Sequence, residues 1–466
     1  MNKDYIRPFG IRDKLGYLFG DFGNDFTFLF SSSFLMKFYT DIMGVSAGVV
    51  GVIMMLARIA DAFTDVAMGR ICDKSSYTKN GKFRPWIRRM CIPVAVSSFL
   101  MYQGALASLP YTAKVIYLFV TYILWGSVFY TSINIPYGSM ASAISLEPGD
   151  RQSLSTYRTI GGMLAGAIVT AGVPLIAFKR DENLGIDVID SARFTFTAAI
   201  FSLLAIICYL LCFSLTTERV RSVSSKQAEI NNNVFTMLKN AAKNRALISI
   251  IAASVVMLLA QLTMQQMSNY VYPVTYGNAK MISVSTVLMV FGMAVAAATA
   301  KPLAQKFGKA ELSVISNLFA GITNLLLYFL RPENVFAYIA FQAVSWIGLG
   351  VFAMVNWALI TDVIDYSEIK NGIREDGSVY ALYSFARKLG QAASSGISGA
   401  LLSLIGYSAD NITNEVKNGI FDIATLVPAI GLILLALILW FWYPLKKKQV
   451  DENIRLLKEK HENNNN

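Results

Sequence analysis

The chain has 466 residues, of which 55% are hydrophobic and only 15% charged, with 29 Phe and a formal net charge of +11. This composition excludes a disordered or nucleic-acid-binding chain, because the positive charge is carried among apolar runs of about 20 or more residues, as in a membrane protein. Cys72, Cys91, Cys208 and Cys212 form no C-x-x-C pair, which argues against a disulfide framework or a zinc site, and the single His, His461, lies in a polar tail.

In chain order, about twelve apolar windows are long enough to cross a hydrocarbon core of about 30 Å. They are residues 15–41, 45–72, 86–107, 113–143, 151–178, 193–215, 245–274, 280–302, 310–330, 335–365, 377–406 and 420–444. The first follows a basic N-terminus, contains Asp21 and Asp25, and lacks a small-residue cleavage site, so it reads as a retained span and not a signal peptide. Roughly three quarters of the Lys and Arg fall on one side of these spans, which the positive-inside rule makes the cytoplasm. Both termini are then expected there, in an inner or plasma membrane.

The longest polar stretch lies between spans 6 and 7. The expected organisation is therefore an N-terminal half at 1–215, a central loop at 216–244, a C-terminal half at 245–445 and a solvated polar tail at 446–466. The halves echo one another. Gly69-Arg70-Ile71-Cys72-Asp73-Lys74 after span 2 is answered by the basic run Ala300 to Lys309 after span 8. The acidic turn Glu147-Pro148-Gly149-Asp150 is answered by Glu375-Asp376-Gly377. Repeated halves are a construction used by secondary transporters.

An ionisable group at the bilayer centre costs at least about 2.5–3.5 kcal/mol, so each one needs a partner or a task. At 1.5 Å per helical residue, Asp25, Asp61, Asp65, Asn134, Arg158 and Lys388 all fall roughly 12 to 20 Å inside their spans. Arg58, Asp61 and Asp65 share one helix face, where two carboxylates and the hydroxyl of Thr64 would hold a small cation or share a proton. Alternatively, Arg58 neutralises one Asp structurally. With no intramembrane His, proton handling falls to carboxylates.

Asp25 is open to pairing with Lys37 or Arg158, and Lys37 reads as an interfacial snorkelling residue near Tyr39 and Asp41. Arg158 and Lys388 would donate to a polar solute or bridge the halves, and Trp357 would stack on a ligand ring or pack in the core. Asp73, Lys82, Arg84, Arg88, Asp362, Asp365 and Glu368 read either as charges that close an inner gate or as solvated loop residues. No phosphate loop, nucleophile elbow or H-E-x-x-H appears, so an enzyme is not expected.

Seven segments in order resemble the glycoside, pentoside and hexuronide cation symporters of the major facilitator superfamily. These include Gly20-Asp21-Phe22-Gly23-Asn24-Asp25, Tyr39-Thr40-Asp41, Ala57 to Asp65, Gly81 to Trp86 and Asn134 to Ser139. The others are Trp357-Ala358-Leu359-Ile360-Thr361-Asp362 with Asp365 to Glu368, and Arg374 to Lys388. The resemblance implies an all-α polytopic carrier with the major facilitator fold, twelve helices in two pseudo-symmetric six-helix halves. It implies a cation site on Asp61 and Asp65, assisted by Thr64 and Thr131, and a sugar site on Asp25, Asn134, Arg158, Trp357 and Lys388.

The expected function is import of a sugar or glycoside, neutral or acidic, with H+ or Na+ and no cofactor or further metal, by a monomer in the bilayer. Gating is expected to involve Asp73, Arg84, Asp362 and Asp365. The readings set against it are a drug/proton antiporter and a non-transporting sugar sensor. Three departures matter: Asn134 stands where the melibiose branch has Asp, Gly138 where it has Trp, and Thr64 where it has Asn. The first makes the pocket less negative, and the last tilts the expectation from sodium towards a proton.

Overall fold

Long apolar runs fold as helices because only a helix satisfies every backbone N–H and C=O inside its own segment when no water is present. The computed structural model describes residues 7–220, 244–371, 376–410 and 412–464. Residues 221–243 of the expected central loop, and Arg374 and Glu375 of the second acidic turn, lie outside the described residues.

The long helices are α1 (Ile11–Asp41), α2 (Ala47–Lys74), α3 (Arg84–Leu100), α4 (Tyr111–Ile144), α5 (Pro148–Ala177) and α6 (Ser191–Leu215). They continue with α7 (Arg245–Thr275), α8 (Lys280–Phe307), α9 (Lys309–Leu330), α10 (Val335–Asn371), α11 (Asp376–Leu404) and α12 (Asn414–Trp442). Among the described residues, nine are by themselves long and apolar enough to cross a membrane. The other three are α3, with 17 residues, and the polar α1 and α11, which carry Asp21, Asp25 and Lys37, and Arg387 and Lys388.

The chain divides into two compact units. Unit 1 takes in Met1–Gln227 with Tyr272–Ser283 and Gly399–Val416, and unit 2 takes in Ala228–Val271, Val284–Ser398 and Lys417–Asn466. In unit 1, α1 packs chiefly against α5 and α6. Its core there is aromatic: the Phe30 ring lies 4.6 Å from Tyr102 and 5.4 Å from Phe194, and Phe38 lies 5.2 Å from Phe194. Tilted and offset contacts of this kind add to simple burial.

Helix ends in unit 1 are closed by charge. The carboxylate of Asp13, fully buried, accepts from Arg219 Nη2 at 2.8 Å, Arg7 Nη2 at 3.0 Å and the backbone N–H of Thr217 at 3.0 Å. Glu218 accepts from the backbone N–H groups of Lys82, Phe83 and Arg84 at 2.7, 2.8 and 2.7 Å, which satisfies the free donors at the start of α3. A short hairpin, Phe178–Asp181 paired antiparallel with Ile186–Ile189, joins α5 to α6. Asp187 in that hairpin accepts from the backbone N–H of Ala279 at 2.7 Å, holding the Tyr272–Ser283 segment. Lys179 and the Arg193 N–H hydrogen-bond Asp190, the cap of α6, and hold its carboxyl below the usual range.

Lys37 departs from the expected snorkelling position: it is 2% exposed. Its Nζ lies 2.6 Å from Asp41 Oδ2 and donates to the Tyr407 hydroxyl at 2.7 Å. That hydroxyl donates in turn to Asp41 Oδ1 at 2.9 Å. One turn of helix brings the two charges together, and the aromatic ring of Tyr407, 5.2 Å from Nζ, covers them.

In unit 2, α9 packs chiefly on α10. Its core includes Leu359, Ile360, Val363, Tyr383, Leu432 and Leu439. The polar tail expected at 446–466 forms a helix, α13 (Lys447–Asn464). Its first N–H donates to Glu311 Oε1 at 2.9 Å, and Lys447 Nζ donates to the last carbonyls of α8, those of Gln305 and Lys306, at 3.0 and 2.8 Å. Cap chemistry at both helix ends fixes the tail, a signal that composition alone hides.

Removing one member of a buried ion pair strands the other. Lys37→Met is expected to cost about 3–5 kcal/mol of stability by leaving Asp41 without this cation, and Lys37→Met/Asp41→Leu is expected to recover most of it. Chemical denaturation of the detergent-solubilised protein measures both.

Candidate functional site

The i, i+3, i+7 spacing predicted for α2 places Arg58, Asp61 and Asp65 along one face, against α4. Arg58 is buried, with its guanidinium 4.6 Å from the Phe28 ring centre and 5.8 Å from those of Tyr122 and Trp125. Its Nη1 is 3.3 Å from Asp61 Oδ2. The other oxygen of Asp61 accepts from Ser127 Oγ at 2.5 Å, and Thr131 Oγ1 donates to Asp65 Oδ1 at 2.9 Å.

Both α4 hydroxyls reach α2 because the helix widens into a π-turn at Leu124–Tyr130, a rare feature that recurs at functional sites. Gly126 stands at the point of closest approach, where a Cβ would lie 3.4 Å from Asp61 Oδ1. Thr64, expected to assist the cation site, donates its hydroxyl to the Asp61 carbonyl at 3.3 Å. Ser127 carried no sequence signal, because a single serine becomes informative only once the π-turn aims it.

A second group joins α1, α4 and α5. Arg158 pairs with Asp21, Nε to Oδ1 at 3.1 Å. Its guanidinium lies 5.4 Å from the Tyr137 ring, which stacks on Tyr17 at 4.6 Å. Asp21, noted in the first span but given no place among the expected site residues, sits one turn before Asp25, the same spacing that drew attention to α2. Gly162 of α5 makes room for both carboxylates, since a Cβ there would lie 2.8 Å from Asp25 Oδ2 and 2.9 Å from Asp21 Oδ2. Asn134 accepts from Asn24 Nδ2 at 3.5 Å, and Asn24 is held by the Tyr209 hydroxyl at 3.0 Å.

In unit 2, Trp357 of α10 is 46% exposed, so core packing does not consume it. It meets Tyr383 edge to face at 5.2 Å, and Arg387 of α11 lies 5.7 Å from its ring. Lys388 follows Arg387 and is half-buried. Sequence reading missed Arg387 because its neighbour satisfied the search for a single intramembrane cation. Among the expected gating residues, Asp362 pairs with Lys309. The carbonyl of Asp73 accepts from Lys82 Nζ at 2.9 Å, and Arg84 Nε donates to the Phe213 carbonyl at 3.0 Å. Asp365 is half-buried near the end of α10.

Residues 16–447 match the family model described as MFS/sugar transport protein. An uncharacterized symporter of Bacillus subtilis is 29% identical over 97% of this chain and 96% of its own length. A glucuronide carrier protein homolog of Escherichia coli K12 is 31% identical over 95% of this chain and 94% of its own. The fold matches the crystal structure of a D-xylose-proton symporter with a TM-score of 0.66, at 14% identity, over 93% of this chain and 97% of that one.

Gly162→Ala is expected to press a methyl group onto the Asp21 and Asp25 carboxylates and to destabilise the protein by about 1–3 kcal/mol. Gly172→Ala on the same helix, whose Cβ would meet only Phe201 at 3.9 Å, is expected to be tolerated. Unfolding midpoints of the two variants side by side measure the difference.

Proposed function

The chain belongs to the family of MFS/sugar transport proteins, and from that premise we propose that it imports a sugar or glycoside by symport with a cation. It is a multi-pass membrane sugar transporter with the major facilitator fold, and not an enzyme. The observation that carries the symport reading is the cluster on α2 and α4. Two carboxylates face oxygen donors there, and one cation, Arg58, stands 3.3 Å from Asp61. A coupling ion, H+ or Na+, at Asp61 and Asp65 would relieve the repulsion between two carboxylates in a low-dielectric setting.

We assign Asp25, Asn134 and Arg158 in unit 1, and Trp357 and Lys388 in unit 2, to the sugar. The two ends of a transporter need opposite closures, and Asp73, Arg84, Asp362 and Asp365 are assigned to the inner one, with both termini cytoplasmic in the cell membrane. The kinship with a glucuronide carrier homolog supports an acidic glycoside. The cations Arg158 and Lys388 supply its partners, and Asn134 leaves the site less negative than a carboxylate would. Ion and sugar raise each other's affinity by the same factor, because binding linkage is reciprocal. No cofactor is required, and a monomer suffices.

Asp61→Cys and Asp65→Cys are expected to abolish uphill sugar accumulation in proteoliposomes while preserving counterflow of labelled sugar. Concentrative uptake by either variant at the wild-type level would remove the assignment. Absence of counterflow in the wild type would favour a sensor, and drug efflux from everted vesicles an antiporter. A thermal-shift panel of neutral and acidic glycosides, with and without sodium at two pH values, reads sugar class and ion together.

A further inference from the structure

The α2 and α4 cluster contains more oxygen ligands than the two carboxylates account for, and their hydrogen count is informative. Thr131 Oγ1 lies 2.9 Å from Asp65 Oδ1 and 3.1 Å from the Gly126 carbonyl oxygen. Both are acceptors, and the hydroxyl has one hydrogen to offer. The Thr131 backbone N–H already donates to the Gly126 carbonyl across the π-turn, so the hydroxyl hydrogen goes to Asp65 and the hydroxyl keeps its lone pairs for a cation.

Ser127 is in the same position one turn earlier. It is 7% exposed, and its hydroxyl donates to Asp61 Oδ1 at 2.5 Å while its own lone pairs stay available. Arg58 meanwhile holds Asp61 Oδ2, which fixes the carboxylate in place. Thr64, the residue that a single-helix reading would have enlisted, turns its hydroxyl back to the Asp61 carbonyl of its own helix, whereas the Ser127 hydroxyl meets the Asp61 carboxylate from α4.

We propose that Ser127 is a specificity-determining residue of the coupling-ion site: through the π-turn of α4 it completes an oxygen set, with Asp61, Asp65, Thr131 and the Gly126 carbonyl, that suits a sodium ion. This rests on the symport reading, and deepens it by naming the ligand that favours sodium over a bare proton. A proton needs one carboxylate oxygen, whereas a hard metal cation needs several oxygens around it. Loss of the Ser127 hydroxyl should therefore weaken sodium binding selectively.

The test uses the full-length carrier purified in detergent, with NaCl titrated against choline chloride at constant ionic strength, and follows the thermal unfolding midpoint. Sodium alone is the probe, so no sugar need be known. Wild type is expected to be stabilised by sodium. Ser127→Ala is expected to shift the half-saturating sodium concentration upward about tenfold or more, and to lower the sodium-free midpoint through loss of the hydrogen bond to Asp61. Ser127→Thr, which keeps the hydroxyl, is expected to restore it. Should Ser127→Ala fail to fold, Ser127→Cys, similar in volume but a weaker ligand, is read in the same way.

Asp65→Asn separates the two layers. If it retains wild-type sodium stabilisation, the ion site is misplaced and the symport reading of this cluster falls with the proposal. If it abolishes stabilisation while Ser127→Ala titrates like wild type, the reading stands and the role of Ser127 is overturned. A wild type indifferent to sodium also overturns it.

Discussion

An ionised side chain in hydrocarbon is unfavourable by at least about 2.5–3.5 kcal/mol at the centre of a helix, and that constraint organises unit 1. Asp13 is answered by Arg219 and Arg7, Asp21 by Arg158, Lys37 by Asp41 and Arg58 by Asp61. Two of these pairs join residues one turn apart on one helix, and the others join distant parts of the chain. The local pairs are insensitive to how helices are arranged, whereas the distant pairs hold only while α1 keeps its place beside α5 and the segment after α6. The polarity of α1, which keeps it below the apolarity of its neighbours, is thus compensated by position.

The Arg58 pair has a further consequence. An arginine ringed by Phe28, Tyr122 and Trp125 is anchored by its faces as well as its edges, so it holds one oxygen of Asp61 without competing for the other. That second oxygen, together with Asp65, is left to α4. A regular α-helix has no spare backbone carbonyl in its interior. The π-turn at Leu124–Tyr130 re-aims this stretch and brings the Ser127 and Thr131 hydroxyls to the carboxylates of α2, while the Gly126 carbonyl accepts from Thr131. A departure from ideal helical geometry is retained where the chemistry needs it.

The groups assigned to the sugar follow a different rule. Trp357 and Arg158 keep part of their surface exposed while being steered by neighbours, Tyr383 and Arg387 for one, Asp21 and Tyr137 for the other. Such groups are oriented without being consumed, which is what recognition of a polyhydroxylated or acidic solute requires. At the ends of the helices, Glu218 and Glu311 satisfy backbone donors of elements far away in sequence, so loops and tail are fastened through main-chain hydrogen bonds, with Leu445 and Val450 of the tail also packed on the apolar core.

Much of this was legible in the chain itself. Apolar run length determines a helical membrane protein, since no other local structure satisfies the backbone without water, and the rarity of charge within those runs isolates Asp25, Asp61, Asp65, Arg158 and Lys388. The i, i+3, i+7 spacing of Arg58, Asp61 and Asp65 likewise needs no tertiary information. Partnership was not legible. That Arg158 takes Asp21, that Lys37 is buried beneath Tyr407, that Glu218 caps α3, and that Ser127 donates to Asp61, depend on which helices touch and on where α4 widens. Periodicity specifies the face a residue occupies on its own helix; only packing decides what stands opposite that face, because the energy of an ionic or hydrogen-bonded contact depends on distances of a few ångströms between segments that can be hundreds of residues apart.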